Sequence, residues 1–376
     1  MDANKMLCSI VFVFCFGVAH AAVTVGSCET TRHSYATISA AIAAAAENEV
    51  VDICPGTYPE QLSITKPLTI RGIQSGVNIV PPSTGLVALP ANSNSYPQIF
   101  VNASGAVALS NLSVSGNGPG IHEAFGLVGL EAACQGGLLS DYSGVYFLNT
   151  PGAVEHLSVS GFLVSSSSPD SPVPDLFPNC GNGIEFHGSR EAIVRNSVID
   201  TPGLNGIYAT GNLIADHNVI SGGLGPRGTG INSGAGSLIT GNTVTGTLLY
   251  VDTVGISGGD LVRDNVVQSA LTGILGANKA RHNTILNNAT GISGVDEIAD
   301  NLISTSATYT DPTCVSGFNC DKPTIGIDAV CRSVRTVRDN GIVGAGIGFA
   351  NVEAGERIPP TNLLANVATT STTCSQ

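Results

Sequence analysis

Six side chains have the types that proton-transfer chemistry needs: Tyr146, Glu185, His187, Tyr208, Arg227 and Asn232. His187 accepts a proton near neutral pH, Tyr208 can donate one, and the guanidinium of Arg227 can neutralise an anion. The other three supply aromatic and polar groups of the kind with which a site holds its ligand. The six form a candidate site only if the fold places them on one surface.

A repeat runs through the same part of the chain and predicts its fold. Gly-Ile pairs begin at Gly183, Gly206, Gly230, Gly255, Gly273, Gly291 and Gly326. Each is followed by an Asn among apolar positions, at Asn196, Asn218, Asn242, Asn265, Asn283, Asn301 and Asn340. The intervals between pairs are 18 to 25 residues (255 to 273 and 230 to 255), with one longer step of 35 (291 to 326). Such spacing is typical of solenoids, in which each repeat buries its apolar face by stacking on its neighbours.

Each repeat is predicted to contain three short strands and no helix. In the repeat from Gly183 to Leu204, apolar and polar residues alternate, which is the pattern of strands with one buried face. Three strands per coil, with coils stacked about 4.8 Å apart, make a parallel β-helix, so the predicted fold class is all-β. The Gly before each Ile and the Asn of each repeat are expected to adopt left-handed backbone angles at corners. The stacked Asn side chains are also expected to hydrogen-bond along the solenoid axis, a structural role.

The period of two assigns most of the candidate residues to one outward face. The inward positions are Val145, Phe147, Ile184, Phe186, Ile207 and Ile231. The outward positions are then Tyr146, Glu185, His187, Tyr208, Thr210 and Asn232. Two long loops, from Phe162 to Asn182 and from Ser221 to Thr229, are expected to overhang this face, and the second contains Arg227.

Composition agrees with one elongated, strand-rich domain. The chain has 376 residues with 46 Gly, no Trp and 11% charged residues, whereas 43% hydrophobic residues supply an ample core. The formal net charge of -13 argues against sequence-independent binding to nucleic acid or to an anionic membrane surface, but a local basic cleft could still bind an acidic polysaccharide. We expect the protein to be a monomer.

The first 21 residues have the features of a signal peptide, which predicts secretion to the periplasm or the extracellular space. Lys5 precedes an apolar run from Leu7 to Val18, and the segment ends with Ala19-His20-Ala21. The run is too short for a stable transmembrane helix, so no membrane insertion is expected after its removal. Residues 22–351 are then predicted to form the solenoid, with a capping helix within residues 35–48. Residues 352–376 are predicted to form a C-terminal cap and tail.

Eight cysteines remain after removal of the signal peptide: Cys28, Cys54, Cys134, Cys180, Cys314, Cys320, Cys331 and Cys374. An even number in an oxidising compartment predicts disulfides. The expected pairs are Cys28–Cys54 across the cap, Cys134–Cys180, Cys314–Cys320 inside an insertion, and Cys331–Cys374 at the tail. None of them forms the close pair that a zinc site needs.

Three segments near the start resemble the opening of right-handed parallel β-helix proteins: residues 35–42 (YATISAAI), 51–60 (VDICPGTYPE) and 62–72 (LSITKPLTIRG). With the repeats, the chain from Thr31 to Phe349 resembles the pectate-lyase-like superfamily. The resemblance implies a right-handed parallel β-helix and a carbohydrate ligand. That superfamily includes lyases, glycoside hydrolases, esterases, epimerases, carbohydrate-binding proteins and adhesins, so the fold does not select one activity.

The signatures of the best-known enzymes of this superfamily are missing. A pectin methylesterase-like site needs an Arg-Pro-Trp segment, and the chain has no Trp. A polygalacturonase-like Asn-Thr-Asp segment does not occur, and no Pro lies between Arg190 and Arg195, where a calcium pectate lyase would need one. The resemblance therefore implies an architecture and a substrate class only.

Superfamily members that act on sugars resemble one another in using the outer face of the first strand of each coil, so we expect the candidate face to bind a polysaccharide. β-Elimination on a uronic acid needs a base for the C5 proton, a cation near the carboxylate and a proton donor for the leaving oxygen. His187, Arg227 and Tyr208 are of these types and are the predicted catalytic residues. The other three candidate residues are predicted to bind the sugar.

Other functions remain open at this point. Glycoside hydrolysis needs two carboxylates about 5 to 9.5 Å apart, and Glu185 has no second acid on its face unless Asp170 or Asp175 supplies one. The protein could instead be a non-catalytic surface adhesin, or a periplasmic scaffold or maturation factor. A basic or aromatic groove would favour sugar, and a uniformly acidic face would favour these alternatives.

A second polar constellation is expected beside the Asn column. Asp264, His282 and Asp300 would stack in consecutive coils, where they could hold a divalent ion. A solvated charge ladder aided by Arg263 and Arg281 is the favoured interpretation. No metal site or cofactor is predicted, and calcium is the one ion left open.

Overall fold

The structure is a computed structural model, and it describes residues 23–29, 34–89, 95–116, 141–162, 181–200, 203–221, 227–246, 252–310, 321–331, 336–353 and 358–374. The described strands form three long parallel sheets around one apolar core, and successive strands of the chain enter the three sheets in turn. We call them the Gly-Ile sheet, which contains the Gly-Ile pairs, and the second and third sheets, which follow it in each coil.

The Gly-Ile sheet has 12 strands: Leu62–Ile64, Ser95–Val101, Asp141–Leu148, Gly181–His187, Asn205–Ala209, Thr229–Ser233, Val254–Gly258, Thr272–Leu275, Thr290–Ser293, Ile325–Asp328, Ile347–Val352 and Thr369–Thr373. The second sheet has 13: Val23–Val25, Ser34–Tyr35, Glu49–Ile53, Leu68–Gly72, Val107–Ser110, Gly152–Glu155, Ala192–Arg195, Leu213–Asp216, Leu238–Thr240, Leu261–Arg263, Lys279–Arg281, Glu297–Ala299 and Thr336–Arg338. The third sheet has 12: Gly56–Pro59, Val77–Val80, Ser113–Ser115, Ser158–Ser160, Val198–Asp200, Val219–Ser221, Thr243–Thr245, Val266–Gln268, Thr284–Leu286, Leu302–Ser304, Gly341–Val343 and Leu363–Ala365. A short antiparallel hairpin, Thr308–Thr310 with Asp321–Pro323, lies in the predicted insertion.

The core contains columns of identical side chains that stack from coil to coil. In the Gly-Ile sheet the column consists of Ile184, Ile207, Ile231, Ile256, Ile274 and Ile292, all fully buried and paired in register. Burying an Ile side chain stabilises a fold by about 1.5–3 kcal/mol, so these repeats supply both the register and much of the driving force. The predicted inward positions are confirmed.

The glycines of the Gly-Ile pairs are needed for close packing and not for a left-handed backbone angle. None of the seven has a positive φ. A Cβ added to Gly230 would lie 2.6 Å from the carbonyl oxygen of Gly255 in the next coil and closer still to the Val244 side chain. The prediction of left-handed angles at these glycines was therefore wrong, because a strand can be extended and still lack room for a methyl group.

The Asn column is a hydrogen-bonded ladder at the corner between the second and third sheets. Its members are Asn218, Asn242, Asn265, Asn283, Asn301, Asn340 and Asn362. The prediction for Asn196 was wrong by one residue: Ser197 donates its backbone N–H to the ladder, while Asn196 takes the left-handed position before it (φ 48°). In later coils this left-handed position belongs to residues such as His217 and Asp264, and the ladder Asn itself does not adopt it. Asn362 was not predicted.

The two ends of the described chain differ. A capping helix spans Ile38–Ala44, shorter than the predicted 35–48, with Thr37 as its N-cap. The carboxylate of Glu60 accepts a hydrogen bond from the backbone N–H of Ile38 (2.8 Å), and Ile38 is fully buried over the first coil. At the other end, strands continue past residue 351, since Leu363–Ala365 and Thr369–Thr373 extend the third and Gly-Ile sheets.

The structure contains two of the four predicted disulfides, Cys28–Cys54 (Cα–Cα 5.6 Å) and Cys331–Cys374 (5.5 Å). Cys134, Cys180, Cys314 and Cys320 lie outside the described residues, as does the predicted signal peptide of residues 1–21. No helix within the described residues is long and apolar enough to cross a membrane.

Candidate functional site

The pairing register places the predicted outward residues in one column on the Gly-Ile sheet. From coil to coil the column contains Phe100, Tyr146, Glu185, Tyr208 and Asn232. His187 lies two residues beyond Glu185 on the same face, at the end of strand Gly181–His187. The alternation of side chains along each strand therefore predicted the shared face correctly. Neighbouring members of such a column are about 4.8 Å apart at the backbone, close enough for direct side-chain contact.

A carboxylate and an imidazole form the centre of the site. His187 Nε2 lies 2.7 Å from Glu185 Oε2, a hydrogen bond between residues two apart on one strand face. The Glu185 side chain is only 2% exposed although it points away from the core, whereas His187 is 26% exposed. The buried carboxylate orients the ring and favours one tautomer, so the partly exposed imidazole of His187 is held in place.

Two tyrosines contact the His187 ring on this face. The Tyr146 ring is stacked on it at a centroid distance of 4.6 Å and an interplanar angle of 13°. The Tyr208 ring is tilted against it at 5.1 Å and 47°. Phe100 continues the row beyond Tyr146 at 6.1 Å. Aromatic faces favour an adjacent cation, so these contacts stabilise a His187 that has taken up a proton, and the row also offers an aromatic surface to a ligand.

Arg227 lies at the opposite edge of the Gly-Ile sheet. It comes two residues before strand Thr229–Ser233, whereas His187 is the last residue of its own strand. The Arg227 side chain is 58% exposed, and its Nε is 3.9 Å from Asp252 Oδ2 in the neighbouring coil. The structure therefore brings His187 and Tyr208 together as predicted but does not bring Arg227 to them. The two loops expected to overhang the face fall mostly on residues 163–180 and 222–226, outside the described part of the chain.

A different cation, not predicted as part of the site, follows His187 by three residues. Arg190 is exposed at the corner between the Gly-Ile and second sheets. Three residues span at most about 11 Å between Cα atoms, so the long Arg190 side chain can reach the surroundings of His187. The corner is held by a hydrogen bond from the backbone N–H of Gly188 to Thr210 Oγ1 (2.8 Å). The signal that was missed is the position of Arg190 directly after a strand that carries candidate residues.

The column expected at the Asn corner is an exposed charge ladder. His282 Nε2 is 3.8 Å from Asp300 Oδ2, and Arg263 Nη1 is 3.2 Å from Asp264 Oδ2. Arg338 Nη1 also lies 3.7 Å from Asp300 Oδ2. No group of three or more potential metal ligands is assembled among the described residues. These side chains are thus paired with one another along the solenoid.

Comparison with solved structures finds one architecture repeatedly. Pectin methylesterase PemA from Erwinia chrysanthemi is 11% identical, with a TM-score of 0.37 over 93% of this chain and 93% of that one. The Dettilon tailspike protein gp208 is 13% identical, with a TM-score of 0.50 over 87% of this chain and 64% of that one. The A-module of the mannuronan C-5 epimerase AlgE4 from Azotobacter vinelandii is 14% identical, with a TM-score of 0.40 over 87% of this chain and 91% of that one.

The three stacked parallel sheets, together with the likeness to the tailspike protein, decide the fold. The chain is a right-handed parallel β-helix. This is the fold implied by the resemblance of the sequence to the pectate-lyase-like superfamily. No protein-family model matches the β-helix, and no curated protein sequence matches it either. At identities this low the likeness concerns the fold alone, and any activity has to be argued from the site.

The site of the β-helix is suited to moving a proton. It combines an oriented imidazole, a buried carboxylate partner and a phenol within contact distance of the same ring. A pair of catalytic carboxylates, as a glycosidase needs, is not present in the described column, because Tyr146, Tyr208 and Asn232 surround Glu185 there. Asp170 and Asp175, the other acids considered as a second carboxylate, lie outside the described residues.

Proposed function

We propose that this β-helix is an exported protein that binds a uronic-acid polysaccharide along the outer face of the Gly-Ile sheet and cleaves it by β-elimination at His187. The observation that carries the proposal is the 2.7 Å hydrogen bond between the partly exposed His187 and the buried Glu185, with Tyr208 against the same imidazole. Without that pairing the face would be only a polar and aromatic surface.

His187 acts as the base in this proposal. In the tautomer whose Nε2–H donates to Glu185, Nδ1 carries the lone pair that accepts the C5 proton of a uronic acid unit. Glu185 is a positioning residue, since its charge stabilises the imidazolium that forms. The stacked Tyr146 ring stabilises the same cation through its π face.

Tyr208 completes the reaction by protonating the leaving oxygen. As the C5–H bond breaks, its electron pair forms the C4–C5 double bond, and the C4–O4 bond breaks. The phenol of Tyr208 gives its proton to O4, and solvent returns a proton from His187 to the phenolate. The products are a new chain end and an unsaturated uronate, so atoms and electrons balance without any oxidant.

The substrate carboxylate must be neutralised before the C5 proton becomes acidic enough to remove. We assign this role to Arg190 in place of Arg227, because Arg190 leaves the sheet at the same edge as His187. Asn232, two coils beyond Glu185, and the aromatic row from Phe100 to Tyr208 would bind neighbouring sugar units. Sugar units repeat at nearly the coil spacing, so a chain lying along the solenoid axis can contact one coil with each unit.

Export is supported by the two disulfides, which persist in oxidising compartments. The features of the first 21 residues point the same way. A secreted protein meets polysaccharides of cell walls, capsules and biofilms, which is where a uronate substrate occurs.

The test is to incubate the protein with a panel of polyuronates, with and without calcium, and to follow the ultraviolet absorbance of the unsaturated product. His187→Gln and Tyr208→Phe are expected to lower the rate by about 10²- to 10⁴-fold, as removal of a general acid or base does. Arg190→Ala should raise KM and lower kcat, and Arg227→Ala should change neither.

A matched control is His217→Gln. His217 also bonds a carboxylate, with Nδ1 2.8 Å from Asp216 Oδ1, but this pair is at the Asn corner on another side of the solenoid. The His217→Gln variant should retain the full rate of product formation. Folded protein that yields no unsaturated product from any polymer of the panel would refute β-elimination, and so would a His187→Gln variant with an unchanged rate.

A further inference from the structure

The outer face of the third sheet is nearly free of charge over ten of its 12 strands, from Ser113–Ser115 to Leu363–Ala365. Each strand has two outward positions. The first column consists of Ser113, Ser158, Val198, Val219, Thr243, Val266, Thr284, Leu302, Gly341 and Leu363. The second consists of Ser115, Ser160, Asp200, Ser221, Thr245, Gln268, Leu286, Ser304, Val343 and Ala365. We call these two columns the third-sheet face.

Large apolar side chains on this face are exposed to solvent. Of the seven exposed large hydrophobic residues within the described ranges, four belong to its first column: Val198 (43%), Val219 (39%), Leu302 (47%) and Leu363 (69%). Asp200 is the single charge of the face, in a chain whose formal net charge is -13. An elongated face of uncharged, mostly small side chains that also exposes four large apolar ones is a candidate interaction surface.

We propose that the third-sheet face is the interface of a homodimer in which two copies pack antiparallel about a two-fold axis. The axis runs along the strand direction, between strands Thr243–Thr245 and Val266–Gln268. This differs from the monomer that the composition led us to expect. Short β-branched and hydroxyl side chains on a sheet face suit packing against another sheet.

The order of residues along the face favours this orientation of the second copy. The two-fold axis sets Ser113 against Leu363 of the second copy, and Ser158 against Gly341. It also sets Val198 against Leu302 of the second copy. A parallel pair would instead set Val198 against Asp200. The antiparallel arrangement instead sets Asp200 against Ser304 of the second copy and so keeps the one charge away from the apolar residues across the interface.

The area of the face is sufficient for a weak dimer. Ten coils about 4.8 Å apart give a length of about 48 Å, and three residues at about 3.3 Å give a width of about 10 Å. Each copy then buries roughly 480 Å², or about 1,000 Å² in total, which is the lower limit for a specific interface. We expect a dissociation constant on the order of micromolar.

Sedimentation velocity over a range of protein concentrations tests the proposal, with Leu302→Arg as the disrupting variant. It should weaken association by on the order of 100-fold, because the symmetry introduces the charge twice. Leu275→Arg is the matched control, since Leu275 is also an outward Leu on a strand (36% exposed) but is on the Gly-Ile sheet. It should dimerise like the unchanged protein.

A charge pair tests the orientation. Val198→Glu and Leu302→Lys should each weaken the dimer, and the double variant should restore it, because the antiparallel axis brings residue 198 of one copy to residue 302 of the other. A protein that stays monomeric at all concentrations, or a dimer that Leu302→Arg leaves intact, overturns the proposal. Binding of the monomer to an insoluble polysaccharide, lost in Leu302→Arg, would assign the face to another occupant and overturn it as well. A dimer weakened by both single changes but not restored by the pair refutes the antiparallel arrangement.

Discussion

Removing one amide from the middle of the Asn ladder is expected to destabilise the whole solenoid. Asn265 is 1% exposed, and its Nδ2 donates to the carbonyl oxygens of Ile239 (3.0 Å) and Arg263 (2.9 Å). The same Nδ2 lies 3.0 Å from Asn283 Oδ1, so its two hydrogens are shared among three acceptors. Its Oδ1 accepts from both the backbone N–H (2.9 Å) and the Nδ2 (3.0 Å) of Asn242. One side chain therefore connects three consecutive coils.

The magnitude follows from what Asn265→Ala would leave behind. The backbone N–H of Asn242 would lose its acceptor, and the Ile239 carbonyl would lose a donor, at a corner that water does not reach. Asn283 Oδ1 would keep the backbone N–H of residue 265 as a donor (3.1 Å). A buried polar group left unsatisfied costs about 1–3 kcal/mol, so two such groups lower the free energy of unfolding by about 2–6 kcal/mol.

Urea denaturation followed by both circular dichroism and tyrosine fluorescence measures this change. Asn362→Ala is the comparison, because Asn362 ends the ladder and is only partly buried. Its loss should be smaller, since water can replace the missing partners there. An Asn265→Ala variant that loses less than about 0.5 kcal/mol, or no more than Asn362→Ala, would refute the view that the ladder stabilises the coils through buried hydrogen bonds.

Two further changes test the packing and the buried phenol. Gly230→Ala should lower the free energy of unfolding by about 3 kcal/mol, because the new methyl group would overlap Val244. In the control Gly341→Ala the new Cβ would be 3.5 Å from its nearest neighbour, so the free energy of unfolding should change by no more than about 0.5 kcal/mol. Equal losses in the two variants would contradict the packing argument. Burial raises the pKa of Tyr142, whose phenol donates to the Gly116 carbonyl (2.7 Å). The folded state thus favours the neutral phenol, so its stabilisation is present below the unfolded pKa of about 10 and is lost as the pH rises above it. The unfolding free energy should therefore fall more steeply above about pH 10 in the unchanged protein than in Tyr142→Phe, and equal slopes would contradict this assignment.

The repeat period made much of the fold predictable from the sequence. An Ile that recurs after each Gly, with alternating neighbours, can be buried in every coil only by a parallel stack, and the register of Ile184, Ile207 and Ile231 confirms it. The same alternation predicted that Tyr146, Glu185 and His187 face outward. Because side chains alternate with a period of two, one correct inward residue assigns its neighbours in the regular part of a strand. The alternation fails at the start of strand Asp141–Leu148, where Tyr142 lies in the core although it shares the parity of Tyr146.

The site could be predicted less well than the face. The alternation of side chains indicates the face of the sheet on which a residue lies. It does not indicate where along the strand direction the residues of other coils lie. Arg227 was grouped with His187 although the sheet separates them at opposite edges, and Arg190 was overlooked. The contact between Glu185 and His187 also depends on side-chain rotamers that packing selects, which no sequence period encodes.

The sequence by itself therefore determined the coil architecture, the inward columns and the existence of an Asn ladder. These features follow from the short-range pattern of apolar, Gly and Asn residues that recurs in every repeat. Tertiary structure decided the features that depend on contacts between coils. It assigned the seven glycines to close packing, moved the ladder position from Asn196 to Ser197, and buried an outward-facing Glu185 beneath its neighbours. Such contacts join residues about twenty positions apart, and their free energies are set by shape and solvent exclusion, which appear only when the coils are stacked.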